Sequence, residues 1–177
     1  MRTRRDFLAG LAGTTLAMLA PTGVAAIDPR TSRRLSFHHT HTGHILETVY
    51  FRDGDYLADE LARVERFMRD FRTRETHPIE RTLLDQLHLL GQRIKPGGVF
   101  EVISAYRSPA TNAMLHERSN GVAAQSLHMV GKAIDVRLDG VSSRELRDAA
   151  LKLRAGGVGY YAASDFVHLD TGRVRSW

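Results

Sequence analysis

Two amphipathic segments in the first half of the chain, followed by short apolar segments, most strongly constrain its fold. Between residues 55 and 72, apolar side chains recur three or four positions apart, which predicts a helix with one buried face. Pro78 opens a second segment with the same spacing, and the run Lys95-Pro96-Gly97-Gly98 ends it. Short strand-like segments dominate the second half, among them residues 99–105 and 133–138. This order predicts an α+β fold with a small antiparallel sheet flanked by helices.

Turn and capping residues divide the rest of the chain into further short elements. Helices are predicted over residues 110–118 and 143–153, the second one capped by Ser142 or Ser143. Strands are predicted as a pair within residues 35–51, after the turn at residues 156–159, and over residues 166–170.

The N-terminal residues have the pattern of an export signal. Thr3-Arg4-Arg5-Asp6-Phe7-Leu8 places two arginines before Phe-Leu, and an apolar run then leads to the small residues Gly23-Val24-Ala25-Ala26. We expect a twin-arginine signal peptide over residues 1–26, a flexible lead-in over residues 27–34 and one domain over residues 35–177. Such a signal peptide predicts that the protein is exported in the folded state to the periplasm or cell envelope. An uncleaved anchor is the alternative, although the apolar run is short for a bilayer span.

Composition limits the kinds of site and partner. The chain has no cysteine, so neither disulfides nor a lipid-carrying cysteine is available, and a metal site must use histidine and carboxylate. The net charge of +5 is mild and suits an anionic envelope polymer. Because no dense basic stripe with interleaved aromatic residues occurs, we expect no nucleic-acid partner. We also expect a monomer with no stable membrane span once the signal is removed.

Three residues offer a metal-ligand set. His128 and Asp135 lie seven positions apart with Gly131 between them, and His168 follows later in the chain. Two imidazoles and a carboxylate leave Zn²⁺ an open position for water, which distinguishes hydrolytic from structural zinc sites. A lone histidine is more often an ordinary polar residue than a ligand. The surrounding Ser-x-His-x-x-Gly-x-Ala-x-Asp pattern favours the ligand interpretation here.

Three motifs in sequence order carry a resemblance to a known family. They are Ser104-Ala105-Tyr106-Arg107-Ser108, Ser126-Leu127-His128-Met129-Val130-Gly131-Lys132-Ala133-Ile134-Asp135 and Asp165-Phe166-Val167-His168. Together they resemble the zinc D-Ala-D-Ala metallopeptidases of the lysostaphin/D-Ala-D-Ala/hedgehog superfamily, and most closely the YcbK-like murein endopeptidases of the murein endopeptidase K type. A Phe-Val-His-x-Asp-x-Gly run and the terminal Arg175-Ser176-Trp177 extend the resemblance. It covers residues 35–177 and implies a hedgehog/D-Ala-D-Ala-peptidase-like fold.

The resemblance implies a zinc hydrolase acting on peptidoglycan stem peptides. His128, Asp135 and His168 would hold Zn²⁺ with water as the fourth ligand, and the amide bonds cut would lie next to D-amino or meso-diaminopimelate centres. The bound metal would activate the water and polarise the scissile carbonyl. Arg107 would stabilise the oxyanion; its alternative is a structural ion pair.

The general base and the substrate-binding residues have more than one candidate. Asp165 matches the family position three residues before the last histidine, and Asp170 is the rival because it shares a strand face with His168. The alternative for Asp170 is a partner that orients a ligand imidazole. Ser126 and Tyr106 are candidate substrate-binding residues. Their alternatives are that Ser126 holds its loop and that Tyr106 fills the core.

Two other activities and one other metal site remain open at this point. A D-Ala carboxypeptidase or dipeptidase would use the same residues in a closed pocket, and a catalytically silent zinc module would only bind envelope peptides. The tract His38-His39-Thr40-His41-Thr42-Gly43-His44 has a metal-binding composition. Surface strand residues are the favoured interpretation there, because Glu47 is the only carboxylate close in sequence.

Overall fold

The computed structural model describes residues 32–119 and 121–177, which contain eight strands and four helices. The strands are β1 (Arg33–His39), β2 (Ile45–Arg52), β3 (Asp55–Tyr56), β4 (Val99–Ser104), β5 (Ala133–Leu138), β6 (Gly157–Tyr161), β7 (Phe166–Asp170) and β8 (Arg175–Ser176). The helices are α1 (Ala58–Phe67), α2 (Arg81–Ile94), α3 (Pro109–Arg118) and α4 (Ser143–Leu153). The predicted signal peptide, residues 1–26, lies outside the described residues. β1 begins two residues before the expected domain start at Leu35.

All eight strands of the described chain form one sheet in the order β3-β2-β1-β4-β5-β7-β6-β8. Most neighbours are antiparallel, but β1 with β4 and β6 with β8 are parallel pairs. The mixture of helices and a sheet is therefore confirmed, whereas the prediction of a small antiparallel sheet is wrong. The reason is long-range pairing. The chain between β1 and β4 contains β2, β3 and two helices, and it then returns so that β4 runs alongside β1.

The hydrophobic core lies between one face of the sheet and helices α1, α2 and α4. α2 packs against β1 and α4, and α4 also packs against β5, β6 and β7. Strand residues on this face are buried, as in the register-paired set Val102, Val136 and Val167. Four leucines of α2 are fully buried: Leu83, Leu84, Leu87 and Leu90. Burying such side chains is the main driving force for the layer arrangement.

The opposite face of the sheet carries the polar residues of β5 and β7. Because side chains alternate along a strand, Asp135 and His168 point away from the face that Val136 and Val167 present to the helices. Their register pairs them directly across the two strands. The connection from β4 to β5 supplies α3 and a 3₁₀ turn, Leu127–Val130, which contacts β5.

The first predicted helix is shorter than the apolar spacing indicates. Residues 55–56 pair with Phe51 and Arg52 as β3 instead, across a turn at Asp53 and Gly54. At the other end the Asp70 carboxylate accepts hydrogen bonds from the backbone N–H groups of Arg72 and Thr73, which forms a turn.

Within the described residues, no helix has the length and apolar character that a membrane crossing requires.

Candidate metal centre

The two histidines and the aspartate bring three ligand atoms together in the sheet. His128 Nε2 lies 3.2 Å from His168 Nδ1 and 3.3 Å from Asp135 Oδ1, and the last two atoms are 2.8 Å apart. All three residues are buried. Tetrahedral zinc with bonds of about 2.0–2.1 Å separates its ligand atoms by about 3.3 Å. The three atoms therefore fit a zinc ion, and no other described residues form such a group.

Local structure explains how His128 reaches the two strand residues. It lies in the 3₁₀ turn, where its backbone N–H donates to Ser126 Oγ at 3.3 Å. Gly131 ends the turn in the left-handed conformation with φ of 65°. A Cβ there would lie 2.0 Å from the carbonyl oxygen of Pro78, so only glycine fits. This turn sends the chain directly into β5 and Asp135.

Hydrogen bonds outside the cluster orient both imidazoles. His128 Nδ1 is 2.6 Å from the carbonyl oxygen of Ala105. A carbonyl only accepts, so Nδ1 carries the proton and the Nε2 lone pair faces the cluster. His168 has the reverse arrangement, because its Nε2 lies 3.1 Å from Asp170 Oδ2 and its Nδ1 faces Asp135. Such partners fix the ligand tautomers in metal sites.

Asp170 is fully buried, and both of its oxygens accept hydrogen bonds. Oδ1 accepts from the N–H groups of Gly157 and Gly172, and Arg175 donates to both oxygens at 3.0 and 2.7 Å. Burial opposes ionisation, but the bonds from His168, Arg175 and Gly172 outweigh it and hold the pKa of Asp170 below its ordinary value. Both oxygens of Asp170 are thus engaged by donors of the protein, and Oδ2 is the one that contacts His168.

A close approach of β6 completes this arrangement. A Cβ at Gly157 would lie 2.4 Å from Asp170 Oδ2, so any larger residue would displace the buried carboxylate. The Gly156-Gly157 pair, predicted only as part of a turn, thus has a packing role beside the site.

The charges of the cluster favour a cation. Burial would raise the pKa of Asp135, but its interactions with His128 and His168 hold that pKa well below the usual range. Burial would likewise lower the pKa of His168, yet the hydrogen bonds with Asp135 and Asp170 raise it to about 9. Two buried carboxylates beside two imidazoles create a site where positive charge is stabilised.

A cavity of about 420 Å³ opens beside the cluster, and Arg107 and Ser126 lie in its wall with the three ligand residues. The contacts of Arg107 are long: its guanidinium nitrogens lie 3.2 Å from Ser104 Oγ and 3.6 Å from Asp135 Oδ2. Its buried Nε has no hydrogen-bond partner in the described structure. A terminal nitrogen also donates to Asn112 Oδ1 at 3.4 Å, so the terminal nitrogens make only long contacts and can donate to a ligand in the cavity.

Three of the predicted site residues do not line this cavity. Asp170 is buried against His168 and Arg175, as described above, and the other two are Tyr106 and Asp165. Tyr106 is buried, and its ring stacks on His77 with centroids 5.0 Å apart, which agrees with its alternative as a core residue. Asp165 is largely exposed and accepts a hydrogen bond from Ser143 Oγ at 2.6 Å. Its other oxygen lies 3.5 Å from Arg137 Nε. A left-handed backbone, with φ of 50°, directs Asp165 away while its neighbours in sequence line the cavity.

Arg175, Trp177 and Tyr161 are among the cavity residues for which the sequence indicated no role. Arg175 and Trp177 reach the site because β8 pairs parallel with β6, and the Trp177 ring lies 5.3 Å from that of His168. The resemblance included both residues but assigned them no contact. The position of Tyr161 follows from the alternation of side chains along β6. Gly159 pairs with His168, and Tyr161, two residues later, lies on the same face of the sheet.

Comparison with known proteins identifies the family. Residues 27–177 match the family model Peptidase_M15_2, described as peptidoglycan L,D-endopeptidase MepK. The chain belongs to the MepK family. It is 42% identical over 180 residues to the peptidoglycan L,D-endopeptidase MepK of Escherichia coli strain K12, covering 98% of this chain and 96% of that relative. This membership confirms the resemblance stated from the three motifs.

A more distant member of the MepK family gives the same result. The chain is 36% identical over 163 residues to the probable peptidoglycan L,D-endopeptidase MepK of Haemophilus influenzae, covering 92% of this chain and 88% of that relative. No solved structure matches the chain.

Proposed function

We propose that the protein is a zinc-dependent endopeptidase that hydrolyses peptide cross-links in peptidoglycan. The observation that carries this proposal is the convergence of His128 Nε2, His168 Nδ1 and Asp135 Oδ1 beside an open cavity. The relatives are named for L,D-endopeptidase activity, and the same class of bond is the substrate expected here.

These three atoms are the ones that would hold the zinc ion. Bound zinc would supply an activated water with a pKa of about 7 and would polarise the scissile carbonyl. The protein contributes rigidity, since two ligands lie on paired strands and the third is fixed by its bond to Ala105. Arg175 and Asp170 keep His168 in the tautomer that presents Nδ1.

Arg107 is the proposed donor to the oxygen of the scissile amide. Negative charge develops on that oxygen during hydrolysis, and a fixed guanidinium in the cavity wall stabilises it. The terminal nitrogens of Arg107 make only long contacts with Ser104 and Asn112, which leaves them available to this oxygen. Ser126 would contact substrate from the same wall while its hydroxyl holds the turn of His128.

Asp165 remains the proposed general base, with a rotation of its side chain. Asp135 is the only carboxylate among the described residues that line the cavity, and it serves the metal. Asp165 would have to leave Ser143 and Arg137. An exposed ion pair contributes about 1 kcal/mol or less, and a hydrogen bond to a carboxylate about 1.5–3 kcal/mol, so the rotation costs a few kcal/mol.

The remaining proposals concern location and assembly. An enzyme that cuts peptidoglycan acts in the cell envelope, and we propose that the signal in residues 1–26 directs this protein to the periplasm by the twin-arginine route. The proposed active form is a monomer, a state that the cluster permits because all of its residues come from one chain.

Digestion of purified peptidoglycan tests the function. The mature protein would be incubated with cross-linked muropeptides, with and without a zinc chelator, and the products read by mass spectrometry. Conversion of cross-linked dimers to monomers that the chelator abolishes and added zinc restores is the expected result. Loss of terminal D-Ala alone would instead identify a carboxypeptidase. Zinc binding without any product would identify a binding module.

A further inference from the structure

Tyr161 lies in the wall of the cavity and has no role in the mechanism above. It ends β6 and pairs with Phe166 of β7, on the face that carries His168. Its neighbour Tyr160 points to the other face, where the guanidinium of Arg147 lies 4.6 Å from its ring centre. The two tyrosines thus form a matched pair, one at the site and one outside it.

Two contacts fix the position of the Tyr161 ring. It stacks on Phe166 with ring centroids 4.5 Å apart and an angle of 15° between the planes. Its oxygen lies 3.1 Å from Nε1 of Trp177. Trp177 is itself anchored by backbone hydrogen bonds with Val158 and Tyr160. A side chain held from two sides is preorganised to offer its polar group in one direction.

The contact with Trp177 determines which hydrogen bonds the Tyr161 hydroxyl can still make. An indole N–H only donates, so the Tyr161 oxygen accepts this hydrogen bond. The hydroxyl proton is then available for a separate acceptor. Arg107 lies in the wall of the same cavity as Tyr161. Two donors, one guanidinium and one phenol, therefore line the same cavity.

We propose that Tyr161 is a catalytic hydrogen-bond donor that, together with Arg107, stabilises the oxyanion of the scissile amide, with Trp177 as its positioning residue. No proton is transferred in this step: the hydroxyl donates a hydrogen bond that strengthens as charge develops on the substrate oxygen. The inference rests on the proposed peptidase function and adds a residue to the substrate side of the same site.

Replacement of Tyr161 by phenylalanine tests the inference, with Tyr160→Phe as the matched control. Removing one oxyanion donor costs about 10²-fold in kcat, so Tyr161→Phe should lower kcat by about that factor with KM and zinc content unchanged. Tyr160→Phe should behave as the wild type. Binding of a phosphinate pseudopeptide, which mimics the tetrahedral oxyanion, should weaken in Tyr161→Phe more than binding of an uncleaved product peptide.

The role of Trp177 has its own test. Trp177→Phe keeps an aromatic ring but removes the N–H, so kcat should fall by a smaller factor. The double variant Tyr161→Phe/Trp177→Phe should lose no more than Tyr161→Phe alone, because the indole acts through the hydroxyl. Additive losses would overturn the positioning role. An active wild type with unchanged kcat in Tyr161→Phe would overturn the inference alone, whereas an inactive wild type would overturn the proposed function as well.

Discussion

The molecule contains two groups of histidines, and they have opposite properties. The segment His38–His44 holds four histidines in the hairpin between β1 and β2, whereas His128 and His168 lie 40 residues apart in sequence. Only the distant pair belongs to a described group of ligands that fits a metal. Within the hairpin, the His41 ring stacks on Phe71 at 4.3 Å, and His39 Nδ1 accepts a hydrogen bond from the His41 backbone at 3.3 Å.

The difference comes from the charges around each imidazole. His39 is buried, and burial together with His41, Arg69 and other cationic neighbours lowers its pKa to about 4. His168 is also buried, but two carboxylates raise its pKa to about 9. A metal site thus depends on carboxylates and on the strand register that brings them to the histidines, rather than on the density of histidines along the chain.

The largest contrast is expected between His168→Ala and His41→Ala. His168→Ala removes a proposed ligand, so bound zinc should be lost and peptidoglycan hydrolysis should fall to background. His41→Ala should retain one zinc per chain and full activity, because His41 packs on Phe71 and not on the cluster. Metal content by atomic emission and muropeptide release check both variants. Zinc lost from His41→Ala but retained in His168→Ala would reverse the comparison.

Asp165→Asn should have the next largest effect. General acid–base catalysis contributes about 10²–10⁴-fold, so kcat should fall by about this factor while zinc content stays at the wild-type level. Ser143→Ala is the control, since it removes the hydrogen bond that holds Asp165 away from the cavity and should leave kcat at or above the wild-type value. Undiminished turnover in Asp165→Asn would exclude it as the base.

Asp170→Asn should lower the affinity for zinc rather than remove the general base. Loss of a carboxylate that orients a ligand imidazole typically weakens metal affinity about 10- to 100-fold. We expect that range for zinc, measured by competition with a chromophoric chelator, and activity should recover when zinc is in excess. Activity that stays low at saturating zinc would show that Asp170 does more than orient His168.

His39 predicts a pH dependence of stability that the cluster does not share. Its folded pKa lies below the unfolded value of 6.5, so the unfolded state binds the proton first as the pH falls. The contribution of neutral His39 to the free energy of unfolding is therefore complete above pH 6.5. Between pH 6.5 and pH 4 that free energy falls by about 2–3 kcal/mol. His39→Gln should remove this loss in urea unfolding at pH 7.5 and 4.5. An equal loss in the variant would assign it to other groups.

The clearest local patterns predicted their elements well. β5 and α4 have the predicted bounds, because an apolar strand bounded by turns and a serine-capped amphipathic helix depend on neighbouring residues. Ser142 Oγ accepts the hydrogen bond from Glu145 N at 3.2 Å, as such a cap requires. The sheet as a whole was underestimated, since β3 and β8 have two residues each and depend on pairing with distant strands.

The candidate site also contains features that local sequence predicts and features that depend on distant contacts. Sequence motifs predicted that His128, Asp135 and His168 belong together, and the β5–β7 register explains their proximity. The directions of Tyr106 and Asp165 could not be predicted, because they depend on packing against His77 and on a left-handed backbone. Contacts between Arg175 and Asp170 or between Trp177 and Tyr161 require β8, which no local pattern indicates.

The most direct measurement is anomalous diffraction at the zinc edge from crystals of the zinc-loaded protein. One peak is expected, bonded to His128 Nε2, His168 Nδ1 and an oxygen of Asp135 at about 2.0–2.2 Å. A peak in the His38–His44 hairpin, or none at the cluster in crystals of active enzyme, would contradict the assignment of the metal centre.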